Sequence, residues 1–263
     1  MVINTLLIRI RGVPPYIFFA LLGIFINCGI FLVLLAIRKR KIKFFALFIM
    51  VVGIFAFAGA KVFAMMWNLL ICIFRHEKVT IYTFLNSGLV FYGGLCGTLF
   101  STWLLSKRWD LEYKKDVLDS VAVVVPGFHV WGRLGCFFAG CCYGIAYKCP
   151  ISVIYINKVG GDILTVSRLP IQLIESAANI CIFVTLLVMF VKKSHRGNLL
   201  KLYLIIYPSI RFILEFFRGD WPRDVLFGVS MSQVISVTII GVIVIYTIKQ
   251  KNNNGGIYNG RFI

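Results

Sequence analysis

The feature of this sequence that most restricts its fold is a series of long apolar runs, each closed by a short basic segment. Several runs reach or exceed the roughly 20 residues that an α-helix needs to cross a bilayer. Only 14% of the residues are charged and the mean hydropathy is +0.89, whereas a soluble domain is about one quarter charged. The sequence therefore predicts an integral membrane protein that crosses the bilayer several times, and it excludes a soluble globular domain.

We predict an all-α integral membrane fold with about seven transmembrane helices. The predicted spans are residues 16–37, 44–74, 85–105, 117–138, 172–191, 199–217 and 225–248. The intervening residues 141–170 are the least hydrophobic part of the chain, and the alternation in residues 151–156 predicts a strand and turn there. We expect residues 1–263 to form one polytopic domain, with residues 141–170 as a small extracytoplasmic lobe containing a short β-hairpin and residues 249–263 as a flexible cytoplasmic tail.

The net charge of +18 would indicate a nucleic-acid partner in a soluble protein. Here the lysines and arginines cluster in short loops between the spans, which indicates membrane orientation and anionic membrane lipids, with no nucleic acid. One side of the predicted bundle collects about 15 of them and the other about 9. The positive-inside rule therefore predicts an outside N-terminus and a cytoplasmic C-terminus.

Arg133 lies within an apolar sequence, in the glycine-rich stretch 130–144, which reads V-W-G-R-L-G-C-F-F-A-G-C-C-Y-G. A cation inside a bilayer is costly unless it faces a protein interior or a polar cavity, so this arginine predicts a functional site. Alternatively, its long side chain extends to the membrane interface. Lys61, deep in the second run, has the same two interpretations, and its depth favours an interior role.

Other polar groups fall inside the predicted spans. Arg211, Glu215 and Arg218 are spaced i, i+4 and i+7, on one helical face; they predict either a functional site or a buried salt bridge that fixes helix register. The pair Gly93 and Gly97 indicates either close helix packing or room for a substrate. A further polar residue, His129, precedes Arg133 by four positions and shares its face, where a hydrogen-bonded packing role is the simpler interpretation.

The eight cysteines fall into two groups. Four lie within apolar runs and are predicted to be small packing residues, namely Cys28, Cys72, Cys96 and Cys181. The other four are Cys136, Cys141, Cys142 and Cys149, which allow a disulfide, a metal site or an active thiol. Their C-x₄-C-C-x₆-C spacing matches no strong zinc pattern, so we favour structural pairing or packing, and we predict no metal and no cofactor.

Six segments of the chain resemble, in matching order, the motifs of one bacterial family. They are Gly59-Ala60-Lys61; Tyr92-Gly93-Gly94-Leu95; Pro126 with Gly132-Arg133-Leu134-Gly135, Phe137, Gly140 and Gly144; Pro170-Ile171-Gln172-Leu173-Ile174-Glu175; Tyr207 to Arg211 with Glu215-Phe216-Phe217-Arg218; and Gly228 to Ser236 with Ser232-Gln233. The family motifs read G-A-R, H-G-G-L, G-R-x-G-N-F, P-x-Q-L-Y-E, Y-x-x-x-R-x-x-x-E-F-F-R and G-x-x-x-x-x-Q-x-x-S. The family is that of the prolipoprotein diacylglyceryl transferases, and the resemblance covers most of the chain.

The resemblance implies transfer of a diacylglyceryl group from phosphatidylglycerol to the lipobox cysteine thiol of a prolipoprotein that still carries its signal peptide. This is the first step of lipoprotein maturation, in the bacterial inner membrane. The implied catalytic residues are Arg133, Arg211, Tyr92 and Glu215. The implied substrate-binding residues are Arg133, Lys61, Gly93, Gly94, Gln172, Glu175 and Arg218. Arginine suits this role because its planar fork binds two phosphate oxygens at once.

This chain departs from the family motifs at four positions. The family's two histidines, asparagine and glutamate are replaced here by Tyr92, Leu169, Cys136 and Cys141. An unperturbed tyrosine, with a pKa of about 10, is a poor base at neutral pH. These departures leave two alternatives open: a phospholipid-dependent transferase with a different acceptor, and a non-catalytic lipid-binding or transport protein on the same scaffold.

Overall fold

The computed structural model describes residues 2–4, 13–41, 45–76, 78–82, 87–159, 162–219, 225–226 and 228–259. Within these residues the chain forms seven α-helices: α1 (Pro15–Ile37), α2 (Phe45–Arg75), α3 (Phe91–Leu105), α4 (Leu111–Ala139), α5 (Ile171–Val191), α6 (Leu199–Glu215) and α7 (Met231–Asn259). Five of them are long and apolar enough to cross a membrane, and α3 and α6 are shorter, with 15 and 17 residues. The predicted all-α membrane fold is confirmed.

A small sheet lies next to the helices. Strand β2 (Val153–Val159) pairs antiparallel with β3 (Asp162–Arg168), so the predicted hairpin is present. The N-terminal strand β1 (Val2–Asn4) adds to the other edge of β2 in parallel. Four of the helices that the structure describes separate β1 from β2, and an even number of crossings returns the chain to the same end of the bundle.

The predicted start of the seventh span, residue 225, is wrong. Residues Val225–Leu226 and Val229–Ser230 form two short antiparallel strands, β4 and β5, with Gly228 in a left-handed conformation between them. Helix α7 begins only at Met231, where Ser230 and Gln233 form a reciprocal capping box: the Gln233 amide donates to the Ser230 hydroxyl (3.3 Å) and the Ser230 amide to the Gln233 side chain (3.0 Å). Its helix continues to Asn259, past residue 249.

The third span also begins later than predicted. Its helix starts at Phe91 rather than residue 85, and residues 87–90 run without helical structure beside α2. The Val90 amide donates to the Ala60 carbonyl (3.2 Å), and Lys61 Nζ donates to the Ser87 carbonyl (2.5 Å). These bonds to α2 satisfy backbone groups that a longer α3 would otherwise pair internally.

Glycines allow the helices to approach closely. On α3, a Cβ atom added to Gly93 or Gly97 would collide with the backbone of α2, at Gly59 and Phe55. The packing interpretation of the Gly93 and Gly97 pair therefore holds. The same device joins α1 to α4, where a Cβ on Gly23 would lie 2.7 Å from the Trp131 side chain.

Charged side chains tie the helices together at the end of the bundle opposite the sheet. The buried carboxylate of Asp116, on α4, pairs with Arg40 (2.8 Å), Arg196 (2.7 Å) and, more distantly, Arg38 (3.8 Å). One helical turn further along, Asp119 accepts hydrogen bonds from two backbone amides at the start of α6. These contacts fix α1, α4 and α6 to one another where the chain turns.

Candidate active site

A cavity of about 800 Å³ lies between the helices, within the size range of ligand pockets. Most of its wall is apolar and includes Phe31, Phe48, Val52, Val121 and Val124. One end is polar and is lined by Tyr92, His129, Arg133, Arg211, Glu215 and Arg218. On α4 alone the lining runs from residue 121 to residue 136, about 22 Å at the rise of an α-helix. The cavity is thus a long apolar channel with a cationic end.

The carboxylate of Glu175 is the centre of the polar end. Its side chain is fully buried on α5, and its Oε1 atom lies 3.1 Å from Arg133 Nη2 and 3.4 Å from His129 Nε2. Tyr207 donates its hydroxyl to the same oxygen (3.1 Å). The other oxygen, Oε2, lies 3.8 Å from Arg211 Nη1. One carboxylate therefore holds both arginines that the sequence predicts to bind phosphate.

Helix geometry explains this convergence. His129 and Arg133 are four residues apart on α4, and Tyr207 and Arg211 are four apart on α6, so each pair shares one face. Both faces point at Glu175, one turn into α5. The His129 ring is also stacked on Phe91 at the start of α3, with 3.9 Å between ring centroids. Helices α3 to α6 each supply part of the polar end.

Arg211 has a second carboxylate partner. It contacts Glu215 at 2.5 Å through Nη2, which also donates to the Ser232 hydroxyl at 3.1 Å. Arg218 lies 3.6 Å from the same carboxylate. The buried salt bridge and the functional interpretation of this face are both compatible with these contacts, because all three charged groups also line the cavity.

Arg211 and Glu175 each have one side-chain atom that forms no hydrogen bond with the described residues. Arg211 Nη1 and Glu175 Oε2 are buried, and neither has a hydrogen-bond partner among the described residues. Their separation of 3.8 Å is too long for a hydrogen bond. A buried donor with no partner is costly, so Arg211 is prepared to bind an acceptor atom in the cavity.

Tyr92 lines the cavity but its hydroxyl already has a partner. Its oxygen lies 2.7 Å from Ser236 Oγ on α7, and the residue is only 3% exposed. The ring packs against Phe91 and Tyr207. Gly94, next to it, also lines the cavity.

Four residues that the resemblance implies for substrate binding do not line the cavity, namely Lys61, Gly93, Gln172 and Glu175. Lys61 donates to the Ser87 carbonyl, and Gly93 packs on α2. Gln172 is fully buried and donates to the Cys141 carbonyl (2.5 Å), while it accepts from Tyr155 (3.4 Å). Burial raises the pKa of Tyr155 to about 12, so its hydroxyl stays a donor at neutral pH. In this geometry Gln172 joins the 141–170 segment to α5. Glu175 contacts Arg133 and Arg211 from behind and does not form part of the cavity wall.

Several residues at the polar end were missed as site residues by the sequence reasoning. These are His129, Tyr207, Ser232, Cys136 and Cys142, all of which line the cavity or contact its charged groups. The i, i+4 relation of His129 to Arg133 was a usable signal, but a packing role was favoured. The structure instead gives His129 a carboxylate neighbour and a face on the cavity.

The glycine-rich stretch brings three cysteines together. The Sγ atoms of Cys136, Cys141 and Cys142 all lie within 4.8 Å of one another, and Cys149 is not part of this group. All eight cysteines are free thiols, so the predicted possibility of a disulfide is not realised. Hydrogen bonding with the Cys136 and Cys141 thiols, together with nearby Arg133 and Arg218, lowers the pKa of Cys142 below its usual range.

Fold and cavity together define a multi-pass membrane protein that presents buried arginines to a lipid-sized apolar channel. A family model described as prolipoprotein diacylglyceryl transferase matches residues 6–249. The chain therefore belongs to the prolipoprotein diacylglyceryl transferase family, and the resemblance seen in its motifs is confirmed.

Individual relatives are similar over part of the chain. The phosphatidylglycerol–prolipoprotein diacylglyceryl transferase of Clostridium tetani (strain Massachusetts / E88) is 37% identical over 164 residues, 61% of this chain and 64% of that protein. Transferase 2 of Clostridium perfringens (strain 13 / Type A) is 34% identical over 177 residues, 65% of this chain and 66% of that protein. The enzyme of Nitratidesulfovibrio vulgaris (strain DP4) is 32% identical over 167 residues, 61% of this chain and 60% of that protein. The matched part of the chain thus spans somewhat less than two thirds of each relative's length.

Proposed function

We propose that this protein transfers a diacylglyceryl group from phosphatidylglycerol to the lipobox cysteine thiol of a prolipoprotein. The observation that carries this proposal is the arrangement of Arg133 and Arg211 on one buried carboxylate, at the cationic end of an apolar channel. Arg211 Nη1, which has no hydrogen-bond partner in the described part of the chain, provides a ready donor for a phosphate oxygen. Family membership and the activities for which the relatives are named support the same reaction.

The channel suits a phospholipid substrate. An acyl chain occupies the apolar wall between residues 121 and 133 of α4, and the phosphate lies against the guanidinium groups. The planar guanidinium fork binds two phosphate oxygens at once, which fixes the headgroup orientation. Glu175 keeps Arg133 and Arg211 in position, and Glu215 orients Arg211 and Arg218.

In the proposed reaction the acceptor thiolate attacks the glycerol carbon that carries the phosphate ester. The new bond joins sulfur to carbon, the carbon–oxygen bond breaks, and glycerol phosphate leaves with the electron pair. Negative charge increases on the leaving phosphate, where the fixed arginines stabilise it.

His129 is our candidate for the group that receives the thiol proton. Tyr92 occupies the position of a family histidine, but its hydroxyl is hydrogen-bonded to Ser236, so we assign it a positioning role. In His129, Nε2 faces Glu175, while buried Nδ1 forms no hydrogen bond with any described group. A neutral imidazole that carries its proton on Nε2, towards Glu175, keeps a free lone pair on Nδ1 for the thiol proton.

We further propose a bacterial inner-membrane location with the N-terminus, the sheet and the polar end of the cavity outside, and the C-terminus in the cytoplasm. The lysine and arginine distribution supports this orientation. Fusion of a periplasm-active phosphatase and of a cytoplasm-fluorescent protein to the C-terminus tests it. Only the fluorescent fusion should give a signal. An active phosphatase fusion would show that the C-terminus lies outside and that the proposed orientation is wrong.

The activity is tested with purified protein in phosphatidylglycerol vesicles and a lipobox peptide that carries either Cys or Ser. We expect a thioether-linked diacylglyceryl peptide only with Cys. Arg133→Gln should lower the rate by about 10²–10³, the usual loss for a preorganised charge stabiliser. The matched control Arg40→Gln, at the opposite end of the bundle, should keep the rate. Label on another acceptor, or lipid binding without turnover, would overturn the proposal.

A further inference from the structure

The three clustered cysteines form a defined site at the lobe end of the cavity. Cys136 lies in the last turn of α4, and the helix ends at Gly140, which adopts a left-handed conformation (φ 68°). Cys142 is also left-handed (φ 59°), which is uncommon for a residue other than glycine. The two left-handed residues turn the chain back over the C-terminal end of α4, which brings the side chains of Cys141 and Cys142 close to Cys136.

Backbone and side-chain hydrogen bonds hold this turn. The Cys141 amide donates to the Cys136 carbonyl (3.1 Å), and the buried Gln172 side chain donates to the Cys141 carbonyl (2.5 Å). Gly144, two residues after Cys142, donates its amide to the Leu169 carbonyl (2.8 Å). The sulfur atoms are therefore arranged by fixed backbone rather than by chance rotamers.

The sulfur geometry matches a thiolate-bound metal ion. Zinc binds cysteine sulfur at about 2.3 Å with tetrahedral angles, which separates the sulfurs by about 3.8 Å. The three Sγ atoms already lie within 4.8 Å of one another, so side-chain rotations of about 1 Å close the site. Three protein ligands with one open position is the arrangement of catalytic rather than structural zinc.

The surroundings favour anionic sulfur. Cys136 and Cys142 line the same cavity as Arg133 and Arg218, and their positive charges offset the charge of a tris-thiolate site. Simple packing, which the cysteine spacing favoured, explains apolar cysteines such as Cys28, but it does not require three sulfurs to converge next to two arginines.

We propose that Cys136, Cys141 and Cys142 bind one thiophilic divalent ion of the Zn²⁺ class, with its fourth position open to the cavity and taken by the acceptor cysteine. The second half of this inference rests on the proposed function. Coordination would release the thiol proton of the acceptor to solvent or a nearby base, because a thiol bound to such an ion is deprotonated. The metal-held thiolate would then form the sulfur–carbon bond as glycerol phosphate departs, with no change in oxidation state. Cys136 and Cys141, which replace a family asparagine and glutamate, thereby gain a chemical role.

Cadmium titration of the full chain in detergent, with a phosphine reductant present, tests the site directly. Cd²⁺ bound to thiolates gives an ultraviolet charge-transfer band whose intensity rises with each sulfur ligand. We expect one equivalent to bind the parent protein. The variants Cys136→Ser and Cys142→Ser should weaken cadmium binding by at least about 100-fold. Even mutation of a residue that only hydrogen-bonds to a metal ligand lowers metal affinity by about 10–100-fold. The control Cys149→Ser, outside the cluster, should bind like the parent.

A second titration, on the unmodified protein, tests the open position without depending on any variant. Adding a lipobox peptide with Cys to the cadmium-loaded protein should increase the band by a fourth thiolate, and the Ser peptide should not. Equal bands with both peptides, or equal affinity in a triple serine variant that keeps its helical circular dichroism, would overturn the inference.

The two proposals fail separately. Cadmium binding and peptide coordination without any thioether product would refute the transfer reaction and leave the metal site standing. Full transfer activity in chelator-treated protein, with no metal found by mass spectrometry, would refute the metal site and leave the transfer reaction standing.

Discussion

Replacing Glu175 with glutamine should damage both the fold and the activity. This carboxylate is fully buried and is the shared partner of Arg133, Arg211, His129 and Tyr207. Glutamine keeps the side-chain shape and can still accept from Tyr207, but it removes the negative charge. Arg133 then loses its carboxylate partner, and Arg211 keeps only Glu215.

The magnitude follows from the distances. With an effective dielectric constant of about 20, unit charges 3.1 Å apart attract by about 5 kcal/mol, and charges 3.8 Å apart by about 4 kcal/mol. Much of this attraction is offset by the cost of burying the ions. Breaking a buried pair by removing one partner typically costs about 3–5 kcal/mol, and we expect a loss in that range for Glu175→Gln.

Unfolding in mixed micelles, followed by tryptophan fluorescence, measures the stability change. Glu112→Gln, which removes an exposed acidic group from the pairs with Lys115 and Arg196, is the matched control and should unfold like the parent. The transfer assay on Glu175→Gln, Arg133→Gln and the double variant then tests positioning. Residues in one charge network are coupled, so the double variant should lose much less activity than the product of the single losses.

Two results would contradict this reasoning. If Glu175→Gln unfolded with the parent's midpoint, the carboxylate would not be the ionic partner of the arginines. If the losses of the two single variants multiplied in the double variant, Glu175 would act independently of Arg133, and the positioning role would be wrong.

Three further changes have defined outcomes. Gly93→Ala should lower the free energy of unfolding by about 1–3 kcal/mol because its Cβ meets the α2 backbone, whereas Gly29→Ala, with open space around it, should be neutral or slightly stabilising in the same micelle assay. Tyr92→Phe should cost about 1 kcal/mol of stability by removing the hydrogen bond to Ser236. It should slow transfer by less than about tenfold, since Tyr92 transfers no proton in the proposed reaction. A rate loss of about 10³ would mean that Tyr92 is a catalytic acid or base. Asp116→Asn should destabilise the protein by about 2 kcal/mol or more yet keep the activity of the folded fraction, and a selective loss of activity would connect that end of the bundle to the site.

Hydropathy was sufficient to predict the seven helices of the described residues and most of their positions. Helix α1 begins one residue from its predicted start, at Pro15, and α5 does the same at Ile171. The large errors are at helix starts: α3 and α7 begin later than predicted, and α4 begins earlier, at Leu111 rather than residue 117, where the Asp110 side chain caps it. The capping box of Ser230 and Gln233 delays α7, and bonds to α2 delay α3. Apolar composition does not reveal such contacts, because the residues before Met231 and Phe91 are apolar whether they form helix or strand.

The site was predictable in kind but not in arrangement. Charges such as Arg133 and Arg211 in apolar sequence indicate a polar interior. In the structure both arginines line the same cavity. Which carboxylate neutralises them depends on how each helix is rotated about its axis, and that is set by packing. Lys61 illustrates this limit: its depth favoured an interior role, but its position on α2 directs it to the Ser87 carbonyl.

The cysteine cluster was hidden for a different reason. Zinc motifs are recognised by two pairs of ligands at short spacing; Cys136 and Cys141 have such a spacing, C-x₄-C, but no second pair with the same spacing follows. The left-handed backbone at Gly140 and Cys142 shortens the distance in space. Cysteine gives little sequence warning of a left-handed conformation, since glycine and asparagine are the usual residues there.

The charge balance at the polar end predicts which lipids the cavity prefers. Three arginines and two glutamates, counted among the described side chains that contact one another there, leave one positive charge; they are Arg133, Arg211, Arg218, Glu175 and Glu215. A cationic cluster beside an apolar channel is unfavourable, and a singly charged phosphodiester with a neutral headgroup offsets part of its charge. A zwitterionic lipid brings its own cation towards the arginines and loses part of that gain.

Phosphatidylglycerol should therefore bind more tightly than phosphatidylcholine of the same chains, by about 10–100-fold, if one charge-assisted hydrogen bond worth about 1.5–3 kcal/mol distinguishes them. Competition against a fluorescent lipid in nanodiscs measures the ratio. Arg218→Gln removes one positive charge from this cluster and should reduce the preference for phosphatidylglycerol while the helical content stays the same. Because Arg218 is 16% exposed in its side chain and Arg211 only 3%, removing Arg218 disturbs the buried pairs least. An unchanged preference in that variant would mean that the cavity recognises the headgroup by shape, and the charge argument would be refuted.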